Sequence, residues 1–118
     1  MIITVNAIPP SNNQFMGNSH SHFEYHRQKT EWHWRIKAAI CERPEKPYTK
    51  ADVIIKYYFG DCRRRDPDNY SGKFILDALV RENILADDSF DVVCLHLEQG
   101  GVDKKKPRTE IEVKERIR

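Results

Sequence analysis

The nine residues from Ala51 to Phe59, ADVIIKYYF, decide how this chain folds. Val53, Ile55, Tyr57 and Phe59 recur at every second position, the period of a β-strand, while Ile54 and Tyr58 add apolar surface to the alternate set. A strand that is apolar on both faces belongs in the middle of a sheet, so the rest of the chain must supply strands on either side. Gly60 and Asp61 end the run, and a densely charged loop, RRRDPDN at 63–69, follows it.

Upstream, residues 2–8 (IITVNAI) are β-branched and apolar and predict a first strand, closed by Pro9 and Pro10. Ser11, Asn12 and Asn13 make a polar turn, and the stretch from Gly17 to Ser21 reads as loop. A helical period runs from about 23 to 41, with Tyr25, Trp32, Ile36, Ala39 and Ile40 on one face, until Pro44 and Pro47 stop it. Downstream, residues 69–81 predict a second helix that turns Phe74, Ile75, Ala78 and Leu79 to the core and ends at Asn83. Residues 90–98 alternate, with Val93, Leu95 and Leu97 facing in against Cys94, His96 and Glu98. Residues 108–114 do the same through Thr109, Ile111 and Val113, and Gly100 and Gly101 open the connection between the two runs. That pattern predicts a long-looped antiparallel hairpin. The order βαβαββ predicts a small α/β (α+β-like) fold, a mixed sheet with helices packed on it, formed by residues 1–118 as one domain.

Composition narrows the function. A chain of 118 residues can bury roughly two-thirds of its unfolded surface and needs no metal or disulfide staple. With 39% hydrophobic and 32% charged residues, it is polar but has too many aromatic and β-branched residues for a disordered chain. No apolar run is long enough for a transmembrane helix, so no membrane partner is expected. MIITVNAIPP lacks the basic segment and long apolar stretch of a signal peptide. Cys41, Cys62 and Cys94 are odd in number and widely spaced, which predicts reduced thiols and a cytoplasmic location. The net charge is only +2, but the charges are sorted. Arg63, Arg64 and Arg65 form one basic cluster, Lys104, Lys105, Lys106 and Arg108 a second, and Lys114, Arg116 and Arg118 lie in the tail. Between the clusters stand Asp66, Asp68, Asp77, Asp87, Asp88 and Asp91. Basic patches flanking an acidic knot suit an enzyme that cuts a polyanion with metal ions.

Asp66 and Asp68 flank Pro67, which biases its predecessor toward extended backbone, and in extended chain residues two apart project to one side. Both carboxylates can then reach one hard cation such as Mg²⁺, which needs only one or two protein carboxylates. Plainer roles compete: Asp68 as a helix N-cap, Asp66-Pro67 as the start of a turn, Asp87-Asp88 as a solvated turn, and Lys73 as a helix-surface partner of Asp77.

The spaced set is what lifts these residues above that background. PPSNN at 9–13, RRRDPDN at 63–69, Lys73, DAL at 77–79 and DD at 87–88 followed by Val92 and Val93 together resemble the RusA family of Holliday junction resolvases, metal-dependent endonucleases of phages and prophages. The helix at 23–41 carries no part of that signature. The resemblance implies a homodimer that binds a four-way DNA junction and places symmetric paired nicks during DNA recombination and repair, in the cytosol of a bacterial host. It implies Asp66, Asp68 and Asp88 as catalytic metal ligands, with Asp87 a weaker neighbour, and Lys73 as a catalytic cation beside the scissile phosphate. Arg65 and Asn69 flank that site as DNA-contacting or orienting residues. Arg63, Arg64, Lys104, Lys105 and Lys106 are the further basic residues expected on DNA. The expected cofactor is Mg²⁺, with Mn²⁺ the alternative, and no organic cofactor. Such ions activate a water, draw charge from the non-bridging oxygens and relieve the leaving oxygen, so the chemistry needs no histidine or serine nucleophile.

Two other readings stand beside this one: a DNA-binding or replication-accessory protein that keeps the fold but does not cut, and a metal-dependent nuclease acting on RNA or flaps. In the first, the aspartates beside the arginines would only oppose DNA binding. Outside the acidic constellation, His20, His22, His26 and His33 make a histidine-rich stretch in which His22 and His26, four apart, could share a zinc ion, although polar surface near DNA is the simpler role. Trp34 cannot face the core together with Trp32 and suits a dimer interface or a contact with a base, the interface being the simpler role. Phe15 is either a wedge for the junction crossover or a loop anchor.

Overall fold

The computed structural model describes residues 1–12 and 21–116; Asn13, Phe15 and His20 therefore lie outside the described residues. Strand β1 (Ile2–Val5) is followed by helix α1 (Ser21–Ala39), strand β2 (Ala51–Phe59), helix α2 (Lys73–Arg81), strand β3 (Val93–Val102) and strand β4 (Arg108–Glu115). The βαβαββ order stands, and the four strands form one mixed sheet in the order β1-β4-β2-β3. β2 lies inside that sheet, as its apolar alternation requires, antiparallel to β4 and parallel to β3. Only one face of it is covered, however. Ala51, Val53, Ile55, Tyr57 and Phe59 are buried, while Asp52, Ile54, Lys56 and Tyr58 remain half-open on the other side. Trp32 and Ile36 of α1 and Phe74, Ile75, Ala78 and Leu79 of α2 complete the core with these residues, so sheet and helices make two layers.

The hairpin expected between the last two strands does not form. β2 separates β3 from β4, and the connection 103–107 passes over the end of β2, where the Asp103 N–H donates to the Phe59 carbonyl at 2.8 Å. β3 buries only Val93 and is polar through Glu98 and Gln99, so it suits an edge, whereas β2 needs partners on both sides. Gly100 and Gly101 accordingly belong to β3 rather than to a turn. The Tyr58 ring takes the space a Cβ of Gly100 would occupy, beside the register shift between Tyr57 and Tyr58.

Two further boundaries moved. β1 stops at Val5, and α2 begins at Lys73 instead of 69, because Gly72 sits at φ 79°, outside helical backbone. α2 ends as Asn83 predicts. With Asn83 at φ 60°, its N–H donates to Val80 O at 3.1 Å and the Ile84 N–H to Leu79 O at 2.9 Å, a paired closure of the last turn.

Candidate nuclease site

β1, β2 and β3 run in the same direction and β4 against them, so the segments leaving β1 and β2 and the 103–107 connection meet at one end of the sheet. Both basic clusters therefore lie at the end where the acidic loop begins. Pro67–Asn69 form a single tight turn, closed by the Asn69 N–H on Asp66 O at 3.0 Å and the Tyr70 N–H on Pro67 O at 3.1 Å. Asp66 is extended (φ −102°, ψ 137°), as its place before proline requires. Asn12 ties the first loop to this turn through Nδ2, which donates to Asp68 O at 3.0 Å and Ser71 Oγ at 3.3 Å. An open polar groove runs between Ser11, Arg63, Arg64, Arg65, Asn69 and Tyr70, with Asp66 on its wall.

Asp68 does not cap α2, whose N-cap is Gly72, so its carboxylate is free for another task. Lys73 opens α2, and its ammonium lies 5.2 Å from the Tyr25 ring centroid. Its pKa is raised above the ordinary lysine value, first by the hydrogen bond to Tyr25 and the charge of that group, then by Asp77 and Asp88, against an opposing effect of burial. Lys73 is thus held as a cation. Asp88 counts among the charges that act on Lys73, although it follows the end of the same helix. Asp77 faces Lys29 of α1 at 3.6 Å, beyond hydrogen-bond length, so it belongs to the helix–helix contact.

The three arginines differ sharply. Arg63 and Arg64 have side chains 81% and 90% exposed, with loose contacts at 3.3 Å to Asp61 and Asp66 respectively. Arg65 is turned inward: its guanidinium lies 4.2 Å from the Phe59 ring centroid, 2.8 Å from the Asp61 carboxylate, and bonds the carbonyls of Asp61 and Arg63 at 3.1 Å. It clamps the loop. Asp61 consequently stays ionised below the ordinary carboxylate range, chiefly through the Arg63 backbone N–H, with both arginine side chains adding to it and burial opposing. In the second cluster, Asp103 accepts the N–H groups of Lys105 and Lys106 at 3.1 and 3.0 Å and Arg108 at 2.8 Å. That turn presents Lys104, Lys105 and Lys106 to solvent.

The oxygen-only donor set of Asp66, Asp68 and Asp88 matches what Mg²⁺ or Mn²⁺ takes. Asp66, Asp68, Asp87 and Asp88 are all exposed, and among the described residues Asp68, Asp87 and Asp88 have no side-chain hydrogen bond or salt bridge to displace. Among the described residues, the donor atoms of Asp66, Asp68 and Asp88 do not all lie within 4.8 Å of one another. Among the described residues, the three metal-binding side chains whose donor atoms do lie within 4.8 Å of one another are Asp52, Cys94 and His96, on the open face of the sheet. The rings of His22 and His26 meet edge to face at 4.5 Å, and among the described residues no third such donor joins them.

The sequence pattern missed two positioning groups, Tyr25 and Asp61. Tyr25 was readable only as a core-facing helix residue, since its contact with Lys73 joins positions 48 apart. Asp61, by contrast, sits four residues before Arg65, a spacing that could have flagged the clamp.

That end of the sheet thus carries the arginine run, the lysine turn and Asp66 of the acidic loop. Residues 5–114 match the family model of the endodeoxyribonuclease RusA. The chain belongs to the RusA family and is an endodeoxyribonuclease of the class that resolves Holliday junctions. No curated protein sequence matches it.

Proposed function

We propose that this chain is a Mg²⁺-dependent resolvase that works as a two-fold homodimer in the cytosol of a bacterial host, nicking opposed strands of a four-way junction. The observation that carries this reading is the position of Lys73: a cation at the first residue of α2, one turn of chain beyond Asp66 and Asp68 and within the electrostatic reach of Asp88. Asp66, Asp68 and Asp88 would hold the metal, with Asp87 beside them. Bound there, Mg²⁺ supplies an activated water and polarises the phosphate.

The remaining work falls to the chain. Lys73, whose pKa Tyr25 raises further above the ordinary lysine value, stabilises the negative charge that builds on the phosphate oxygens. The first N–H groups of α2 have no side-chain cap, so the partial positive charge of that helix end adds to the charge of Lys73, its first residue. Arg63 and Arg64 exchange their loose carboxylate contacts for DNA phosphates, while Lys104, Lys105 and Lys106 reach the same arm from the neighbouring turn. Asn69 lines the groove between them. Arg65 serves DNA indirectly, by fixing the loop. A body of 39 × 32 × 25 Å with one acidic loop presents one cutting site, so two copies answer the two-fold symmetry of paired nicks.

The test is a four-way junction incubated with the protein in Mg²⁺ or in EDTA, with linear duplex, flap and RNA controls. Paired nicks confined to the junction and to Mg²⁺ are expected. Asp88→Asn should bind the junction without cutting it. Cutting in EDTA, or wild-type nicking by Asp88→Asn, would overturn the assignment.

A further inference from the structure

The open face of the sheet carries a second constellation, unrelated to the acidic loop. Asp52 is the second residue of β2 and pairs in register with Cys94, the second residue of β3; His96 follows two residues on and projects from the same face. Cys94 Sγ lies 3.6 Å from His96 Nε2, and that nitrogen is 3.9 Å from Asp52 Oδ1. All three donor atoms fall within 4.8 Å of one another. We propose that Asp52, Cys94 and His96 form a binding site for a borderline-soft divalent metal ion, Zn²⁺ by preference, with water completing the shell.

The distances favour a metal. In a tetrahedral zinc centre with Zn–S near ~2.3 Å and Zn–N near ~2.0–2.1 Å, the sulfur and nitrogen stand about 3.6 Å apart. That is the observed separation of Cys94 and His96. The nitrogen–oxygen edge of the same tetrahedron is about 3.3 Å, so the Asp52 carboxylate must close by roughly half an ångström. Rotation of two partly exposed side chains on a rigid sheet provides that. The donor set also selects the ion: a thiolate and an imidazole suit Zn²⁺, whereas Mg²⁺ takes oxygen ligands and belongs at the aspartates. Binding releases the thiol proton of Cys94 to solvent and forms the metal–sulfur bond.

Two neighbours bear on the site. Arg116 Nε is 3.8 Å from the same Asp52 oxygen, a partly exposed contact that the ion would replace. Its backbone N–H donates to Lys50 O at 2.8 Å, so the C-terminal segment stays attached when the side chain swings away. The site lies at the start of β2, seven residues before Phe59, or about 23 Å at the ~3.3 Å rise of a strand. It is therefore separate from the loop of Asp66 and Asp68. Its evident effect is to staple β3, an edge strand that buries little apolar surface, to the central strand.

The experiment is a Co²⁺ titration of the metal-stripped full chain in excess Mg²⁺, which keeps the hard carboxylate site supplied, followed by displacement with Zn²⁺. One Co²⁺ per chain is expected, with a thiolate-to-cobalt charge-transfer absorption that Zn²⁺ abolishes. Cys94→Ser should remove the band, and His96→Gln and Asp52→Asn should weaken binding by roughly tenfold or more, since removing even an outer-shell partner costs that much. Cys41→Ser and Cys62→Ser, at the other two thiols, should leave the band intact. Zn²⁺ should also raise the melting temperature of the parent chain but not that of Cys94→Ser, a readout independent of absorption. The proposal fails if the band survives Cys94→Ser, if it follows Cys62 or Cys41, or if no stoichiometric binding occurs.

Discussion

Gly72 joins the stability of the fold to the chemistry of helix α2. It holds φ 79° immediately before Lys73, and a Cβ built there would lie 2.7 Å from Cδ1 of Ile55, a residue with no exposed surface. Gly72→Ala therefore meets two costs. Left-handed backbone costs an L-residue roughly 1–2 kcal/mol, and forcing a methyl into a packed core costs about 1–3 kcal/mol more. The middle of the summed range is ~3.5 kcal/mol, and at roughly 4 °C per kcal/mol for a chain of this length it lowers the melting temperature by about 14 °C. A protein of ordinary stability survives that in the cold. Ile55→Val deletes the offending Cδ1 and alone should cost about 0.5–1.5 kcal/mol. Combined with Gly72→Ala it should relieve the clash, leaving the double variant more stable than the sum of the singles by at least ~1 kcal/mol. Urea unfolding of all four proteins measures this, and junction nicking at a temperature where each is folded measures the displacement of Lys73, expected as a lower turnover with little change in junction affinity. Strict additivity, or a Gly72→Ala penalty below about 0.5 kcal/mol, would refute the reasoning.

Three further outcomes follow from the same geometry. Replacing Arg63 and Arg64 together by Ala should reduce the log–log salt slope of junction binding by roughly two units at ~0.9 per phosphate, whereas Arg65→Ala should chiefly lower the melting temperature; titrations across salt and thermal melts separate the two. Tyr25→Phe keeps the ring over Lys73 but removes the hydroxyl that raises its pKa, so the alkaline limb of the nicking rate should shift to lower pH with the fold intact. The Glu82 carboxylate resists burial, yet Arg43 and His33 at 2.8 and 2.5 Å hold its pKa below its ordinary value of 4.5. Its stabilisation is therefore complete above that value and lost as pH falls through the lower folded one. Glu82→Gln should flatten that acid limb of the melting-temperature profile, and parallel profiles for the two proteins would contradict it.

The sequence carried the elements better than their pairing. Period-two alternation marked β2 to the residue, because its buried set is uninterrupted from Ala51 to Phe59. Helical periodicity found Trp32, Ile36 and the buried face of α2 for the same reason. The hairpin misled because alternation shows that a strand has a buried face, not which strand lies beside it. Leu95 illustrates the limit: its register partner is the buried Val53, yet it stands at the sheet edge, 36% exposed. The start of α2 was misplaced for a local reason, since apolar spacing does not register a single glycine in left-handed backbone.

At the site, legibility followed distance along the chain. Asp66, Asp68, Asn69 and Lys73 were readable as a group because they stand within eight residues of one another, joined by one turn and one glycine. The approach of Asp88 depends on the whole path of α2 and its return, and no window of sequence contains that path. The arginine run shows a subtler limit, since three consecutive identical residues have one composition but two environments. Phe59 ends the central strand with its ring on the core side, and the guanidinium that reaches it four ångströms away is that of Arg65. Arg63 and Arg64 are left to solvent by that same fold of the loop. The strand that decides the architecture thus also decides which arginines are free for a phosphate: its last side chain takes Arg65 for the loop, and the two arginines released by that arrangement stand at the groove beside Asp66 that is proposed to take DNA.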